Sequence, residues 1–214
     1  MKISFFCEQA PEQGGETPIA DCRRVFQRLD PIIREQFIRK KVMYVRNYGS
    51  GVDLSWQTAF QTNERAAVEL YCRRAPIEFE WKGDDGLKTW QVRDAVAHHP
   101  KTGEMVWFNQ AHLFHLSNLE NDIRESLVAA FEEDNLPRNA YYGDGSPIET
   151  FVLDEIREVF REAVIVFPWR QGDILLLDNM LTAHGRAPYI GKRRILVAMA
   201  EPTAEDSGCN PLGE

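Results

Sequence analysis

GDILLLDNMLTAHGRAPYIGKRRILVAM, residues 172–199, is the stretch on which the reading of this chain turns. Gly172 and Asp173 turn straight into Ile174–Leu177, an uncharged apolar run that reads as a short buried strand. That strand leads to His184, set in a turn with Gly185, and a second apolar strand, Arg193 to Ala200, then brings two adjacent arginines. Side chains alternate along a strand, so Arg193 and Arg194 face opposite ways. A neutral imidazole ligates iron, and a guanidinium grips a carboxylate through two parallel N–H bonds. A metal ligand followed by a carboxylate grip is the chemistry this order of residues suggests. An ordinary turn histidine and a surface ion pair are the plain alternatives.

Working outward, Ala163–Phe167 reads as a strand, and Ile148–Phe160 as a helix whose apolar positions recur near the 3.6-residue period. Asn121–Phe131 is a second amphipathic helix. Pro137–Pro147 between them is rich in turn residues and reads as a loop. Toward the N-terminus, Ile3–Cys7 is a strand, Gly14-Gly15 a tight bend, and Asp21 a helix cap. Asp30-Pro31 opens a second helix. Val42–Tyr48, Phe79–Trp81, Leu87–Val96 and Glu104–Asn109 read as strands, and Thr62–Cys72 as a helix. No strand–helix–strand rhythm repeats, which argues against a doubly wound parallel sheet. The expectation is a mainly β, double-stranded β-helix (jelly roll) with a helical insertion over about residues 111–162, the 214 residues forming a single domain.

Composition bounds the function. Twenty-five basic against 33 acidic residues leave a net charge of -8, which repels phosphate backbones and argues against a nucleic-acid partner. Cys7, Cys22, Cys72 and Cys209 form no CxxC pair, neither a zinc pattern nor a disulfide framework, and suit free thiols in a reducing compartment. No apolar run reaches membrane-spanning length, and Glu8 ends the first one too early for a signal peptide. A cytoplasmic protein acting on a small molecule is the expectation.

The chain resembles the taurine dioxygenase-like family of Fe(II)/2-oxoglutarate oxygenases, closest to small-molecule hydroxylases of natural-product pathways. The resemblance rests on Phe5-Phe6-Cys7, on Gly14 to Asp21, on Trp107 to His112, on Pro137 to Ile148, and on the whole of Gly172 to Met199. It implies Fe(II) as cofactor, 2-oxoglutarate as co-substrate, and hydroxylation as the outcome favoured over halogenation. His184 matches the distal iron histidine. Arg194, ten positions on, is the favoured match to the arginine that pairs with the far carboxylate of 2-oxoglutarate, with Arg193 second. Thr17 matches the threonine that donates a hydrogen bond to the same carboxylate. Arg186, close after His184, would orient the co-substrate or the residues around it, or simply stabilise the turn. Asn109, His112, Arg138 and Tyr141 are weaker matches to the substrate side, the last two in a loop over the pocket.

One departure stands out. The family's other two iron ligands form a His-x-Asp or His-x-Glu pair upstream of the Phe-Phe segment. No His-x-Asp or His-x-Glu occurs in these 214 residues. One expectation is therefore an N-terminally truncated oxygenase domain that hydroxylates once the missing segment is supplied. The other is a catalytically inactive fragment with a binding or structural role. Truncation would leave an open strand edge and a bare core face, and so an aggregation-prone chain.

Overall fold

The computed structural model describes residues 1–49 and 51–201. Along the chain run β1 (Lys2–Gln9), β2 (Gln13–Gly14), β3 (Ile19–Asp21), α1 (Cys22–Arg28), α2 (Pro31–Lys40), β4 (Val42–Tyr48), α3 (Trp56–Phe60) and α4 (Arg65–Arg74). Next come β5 (Glu78–Lys82), β6 (Gly86–Arg93), β7 (Val96–His98), β8 (Met105–Trp107), α5 (Ala111–Phe114) and α6 (Asn121–Ala130). The last are β9 (Arg138–Tyr142), α7 (Thr150–Ala163), β10 (Val164–Ile165), β11 (Ile174–Asp178), β12 (Thr182–His184), β13 (Tyr189–Ile190) and β14 (Arg194–Ala200). Asp21 caps α1 as its position suggests, accepting from the Arg23 N–H at 2.9 Å. Asp30 accepts from Ile32 N–H at 2.7 Å where α2 begins.

The chain divides into two compact units. The first holds Met1–Arg34, Val96–Phe108 and the described residues from Glu155 on. Its central sheet has the order β11-β1-β14, all antiparallel, with β1 in the middle. Ile3, Phe5 and Cys7 alternate to one face, where they form an apolar cluster with Trp169 and Leu177, and Ile19, Leu175 and Ile195 pack against it. Beside it lie the small sheets β10-β3-β12, β13-β2 and β7-β8. The second unit holds the described residues of Glu35–Ala95 and Asn109–Asp154, built on a four-stranded sheet, β5-β6-β4-β9. Its core is Tyr48, Trp56, Ala59, Val68, Cys72 and Leu87.

This corrects the jelly-roll expectation. Helix takes 33% and strand 32% of the described residues, so the fold is mixed α/β and its sheets are open. Period-2 alternation reports that a strand is half-buried. Closure depends on matched strand number, tilt and stagger, which alternation does not encode. Two local readings change as well. Residues 138–142, expected in a loop, form β9, paired with β4 from Val42↔Tyr142 to Arg46↔Arg138. Ala140 and Tyr142 are fully buried, which holds that strand in place despite the turn residues around it. Ile174–Leu177, expected to be wholly buried, is buried on one face only: Leu177 is in the core, while Ile174 and Leu176 are 73% and 66% exposed.

With Phe6 and Leu196, those two residues make an exposed apolar face, since Phe6 is paired with both Ile174 and Leu196. Cys7, Cys22 and Cys72 are buried free thiols, and Cys209 lies outside the described residues. Among the described residues, no helix is long and apolar enough to cross a membrane.

Candidate functional site

Two chain segments in the first unit run antiparallel in one register. Asp21 lies opposite Thr182 and His184 opposite Ile19; further along, Tyr189 lies opposite Gly14 and Ile190 opposite Gln13. Between these pairs the ladder is kept by Gly185 N–H to Pro18 O (3.0 Å), Ala187 N–H to Glu16 O (3.0 Å) and Gly15 N–H to Pro188 O (2.9 Å). The register therefore brings Thr17 opposite Arg186 and two residues from the partner of His184. Gly14 and Gly15 have φ of +68° and +70°. A Cβ on Gly14 would lie 2.3 Å from Pro188 O, and one on Gly15 would lie 2.7 Å from Pro11 Cγ and 3.0 Å from Arg193 Cδ. Glycine is needed twice here, for the left-handed backbone and for the close approach of a strand and of an arginine.

Thr17 is buried, 1% exposed. Its Oγ1 accepts from Trp169 Nε1–H at 3.1 Å and from Arg193 Nη2 at 3.5 Å. Arg193 is anchored by Nε donating to Gly15 O at 2.8 Å, and its guanidinium stands 5.9 Å from the Tyr189 ring centroid. Burial first, and then the charge of Arg186, pull the pKa of Arg193 below the usual guanidinium value. An arginine keeps its proton in proteins regardless, so both side chains carry positive charge. Among the described residues neither Arg186 nor Arg193 has an acidic partner.

His184 closes the group. Its ring meets Phe5 edge-on, centroids 5.2 Å apart at 71°. Phe5 and Trp169 belong to one cluster, so His184 and Thr17 stand against the same apolar base. A facial iron site needs two histidines and a carboxylate. Among the described residues no group of three or more His, Cys, Asp or Glu side chains is placed to hold a metal ion. These residues do not make an iron centre on their own.

The remaining expected residues lie elsewhere. Arg194 is exposed and pairs through Nε with Glu8 Oε2 at 2.5 Å, so of the two neighbouring arginines it is Arg193 that meets Thr17. Asn109, His112, Arg138 and Tyr141 belong to the second unit. Asn109 joins Ala95 O (2.9 Å) to the Ala111 N–H (3.1 Å), a local turn brace. His112 is buried in α5. Arg138 lies over the Phe114 ring, and the Tyr141 hydroxyl reaches Glu133 at 3.5 Å.

Sequence reasoning passed over three contributors. Trp169 lies three residues before the deciding stretch, and it carries a signal: a buried indole N–H needs an acceptor. The Gly15 carbonyl carries no sequence signal. Asp178 ends β11 and accepts from Lys2 Nζ (2.7 Å), the Met180 N–H (3.1 Å) and His99 Nε2 (3.3 Å). Burial alone would raise its pKa, but Lys2, Met180 and His99 together hold the carboxyl down to about 2. Asp178 thus braces the turn that leads into β12 and His184.

The chain spans 64% of the length of the dapdiamide synthesis protein DdaC of Enterobacter agglomerans and is 46% identical to it over 98% of its own residues. It spans 60% of a clavaminate synthase-like protein of Arabidopsis thaliana, at 29% identity over 94% of this chain. Two solved structures share the fold. One is a Burkholderia xenovorans protein assigned as an alpha-ketoglutarate dependent 2,4-D dioxygenase (TM-score 0.51, 14% identity, 92% of this chain and 60% of that one). The other is AAD-2, crystallised with Mn(II) and N-oxalylglycine (TM-score 0.50, 15% identity, 92% and 61%). The family model described as "Taurine catabolism dioxygenase TauD, TfdA family" matches residues 1–199, and the chain belongs to that family.

Proposed function

We propose that this chain carries the 2-oxoglutarate-binding part of an Fe(II)/2-oxoglutarate oxygenase and that, on its own, it is a dicarboxylate-binding domain without oxygenase activity. The observation that carries this is Arg193, half-buried and bonded to the Gly15 carbonyl and the Thr17 hydroxyl, with Arg186 opposite Thr17 in the register and no acidic partner to either among the described residues. Arg193 is half-buried and Arg186 exposed, so an anion reaching Arg193 meets positive charge from both, and a guanidinium offers a carboxylate a forked pair of N–H donors. Arg193 and the Thr17 hydroxyl grip the far carboxylate of 2-oxoglutarate. Arg186, opposite Thr17, adds charge and orients the ligand. Arg194, tied to Glu8, takes no part.

His184 is the one metal ligand this reading takes from the chain. A working oxygenase needs a His-x-Asp or His-x-Glu pair from sequence other than these 214 residues. In a protein that includes such a pair, the reaction is hydroxylation of a small molecule, and the similarity to a dapdiamide synthesis protein supports a biosynthetic substrate. The buried thiols suit the reducing cytoplasm.

Calorimetric titration tests the proposal. 2-Oxoglutarate should bind the chain in the presence of a chelator, and Fe(II) should neither tighten that binding nor start 2-oxoglutarate turnover. Turnover by this chain alone would overturn the binding-domain reading, and absence of any 2-oxoglutarate binding would overturn the dicarboxylate site.

A further inference from the structure

The hydrogen bonds around Thr17 are ordered in a way that assigns a role to Trp169. A threonine hydroxyl has two acceptor lone pairs and one proton. Here both groups that approach Oγ1 are obligate donors. The indole Nε1–H of Trp169 comes to 3.1 Å and the Arg193 Nη2 to 3.5 Å, and neither nitrogen can accept. The hydroxyl proton is therefore directed away from both. Among the described residues nothing accepts it, although Thr17 is 1% exposed. A buried donor without an acceptor is unfavourable, so the arrangement is built to be completed by an acceptor that arrives from outside.

We infer that Trp169 is a positioning residue for ligand binding: its N–H holds the Thr17 hydroxyl in the one orientation that presents the hydroxyl proton to a ligand carboxylate. This rests on the dicarboxylate site proposed above. Without the indole N–H, the hydroxyl of Thr17 can turn its proton elsewhere, and the order of the site is lost before the ligand arrives. Trp169 touches no ligand itself. It acts through Thr17, from within the cluster of Ile3, Phe5, Cys7 and Leu177 that fixes its ring.

A double-mutant cycle tests this because a packing role and a positioning role combine differently. 2-Oxoglutarate is titrated into the wild-type chain, Trp169→Phe, Thr17→Val and the double variant, with thermal melts confirming that each is folded. Each single variant should weaken binding about tenfold, the scale of one hydrogen bond to a charged group. The double variant should bind no more weakly than Thr17→Val, since there is then no hydroxyl to orient. Site-specific replacement of Trp169 by its benzothienyl analogue, which keeps the ring and deletes only the N–H, should reproduce the Trp169→Phe loss and serves where that variant does not fold. Wild-type affinity in either Trp169 variant would overturn the inference, as would a double variant weaker than Thr17→Val by the full Trp169→Phe factor. A wild-type chain that binds no 2-oxoglutarate would instead remove the underlying dicarboxylate site.

Discussion

Arg193 and Arg194 are consecutive residues with separate partners: the Nε of Arg193 donates to the Gly15 carbonyl at 2.8 Å, and the Nε of Arg194 meets Glu8 Oε2 at 2.5 Å. The first is half-buried beside Thr17 and the second lies at the surface. Pairing of β1 with β14 shifts register between Cys7 and Gln9, a bulge that leaves Glu8 out of step and turns its carboxylate toward Arg194. An exposed ion pair of this kind contributes about 0–1 kcal/mol.

Gly15→Ala should damage the site more than its backbone strain explains. Gly145, with φ +83° and nothing within 4 Å of an added Cβ, serves as the control, because alanine there meets strain alone. Each substitution puts alanine in left-handed backbone, a cost of about 1–2 kcal/mol. Only at Gly15 would the new methyl lie 3.0 Å from Arg193 Cδ. Titration should show that Gly145→Ala keeps 2-oxoglutarate affinity and Gly15→Ala loses most of it. Equal affinities would mean that the Arg193 side chain is not fixed by this contact.

Asp178 should make the chain acid-sensitive. Its carboxyl is held at about 2 in the folded state, against about 3.9 when unfolded. A depressed folded-state value gives stability that is present above the unfolded value and lost as pH falls from about 4 toward 2. The shift corresponds to about 2.5 kcal/mol. Asp178→Asn should lower stability by roughly that amount at neutral pH and flatten its dependence between about pH 4 and 2. Chemical denaturation across that range measures both. The His99 ring takes the Thr102 N–H on Nδ1 (3.1 Å), which leaves Nε2 to donate to Asp178.

The exposed apolar face of the central sheet should drive self-association. Phe6, Ile174, Leu176 and Leu196 lie together on a three-stranded sheet whose outer strands, β11 and β14, are open edges within it. Leu176→Lys with Leu196→Glu should reduce concentration-dependent association in sedimentation velocity and leave the circular dichroism spectrum unchanged. Association that persists at the same level would place the sticky surface elsewhere.

Much of the local fold around the candidate site was legible in the sequence because short-range rules set it. Gly14-Gly15 announced a tight bend, Asp21 a cap, and the apolar runs at 3–7, 174–177 and 195–199 announced strands. What sequence could not supply was parity and closure. Ile195, Leu196 and Val197 are all apolar, so nothing in their order says which neighbour of the arginine pair shares a face with the core. The structure puts Ile195 against the core cluster, and counting back two residues leads to Arg193. Closure failed for a similar reason, since alternation describes one strand and a barrel is a property of all of them. Residues 138–142 were hidden by Pro137 and Gly143 on either side, which mask a strand buried through Ala140 and Tyr142.

The most direct measurement is a calorimetric titration of 2-oxoglutarate into the chain and into Arg193→Ala and Arg194→Ala, without metal. Binding that is abolished in Arg193→Ala and kept within about twofold in Arg194→Ala, the change expected from a surface ion pair, is the predicted result. Binding lost in Arg194→Ala but kept in Arg193→Ala would contradict the account.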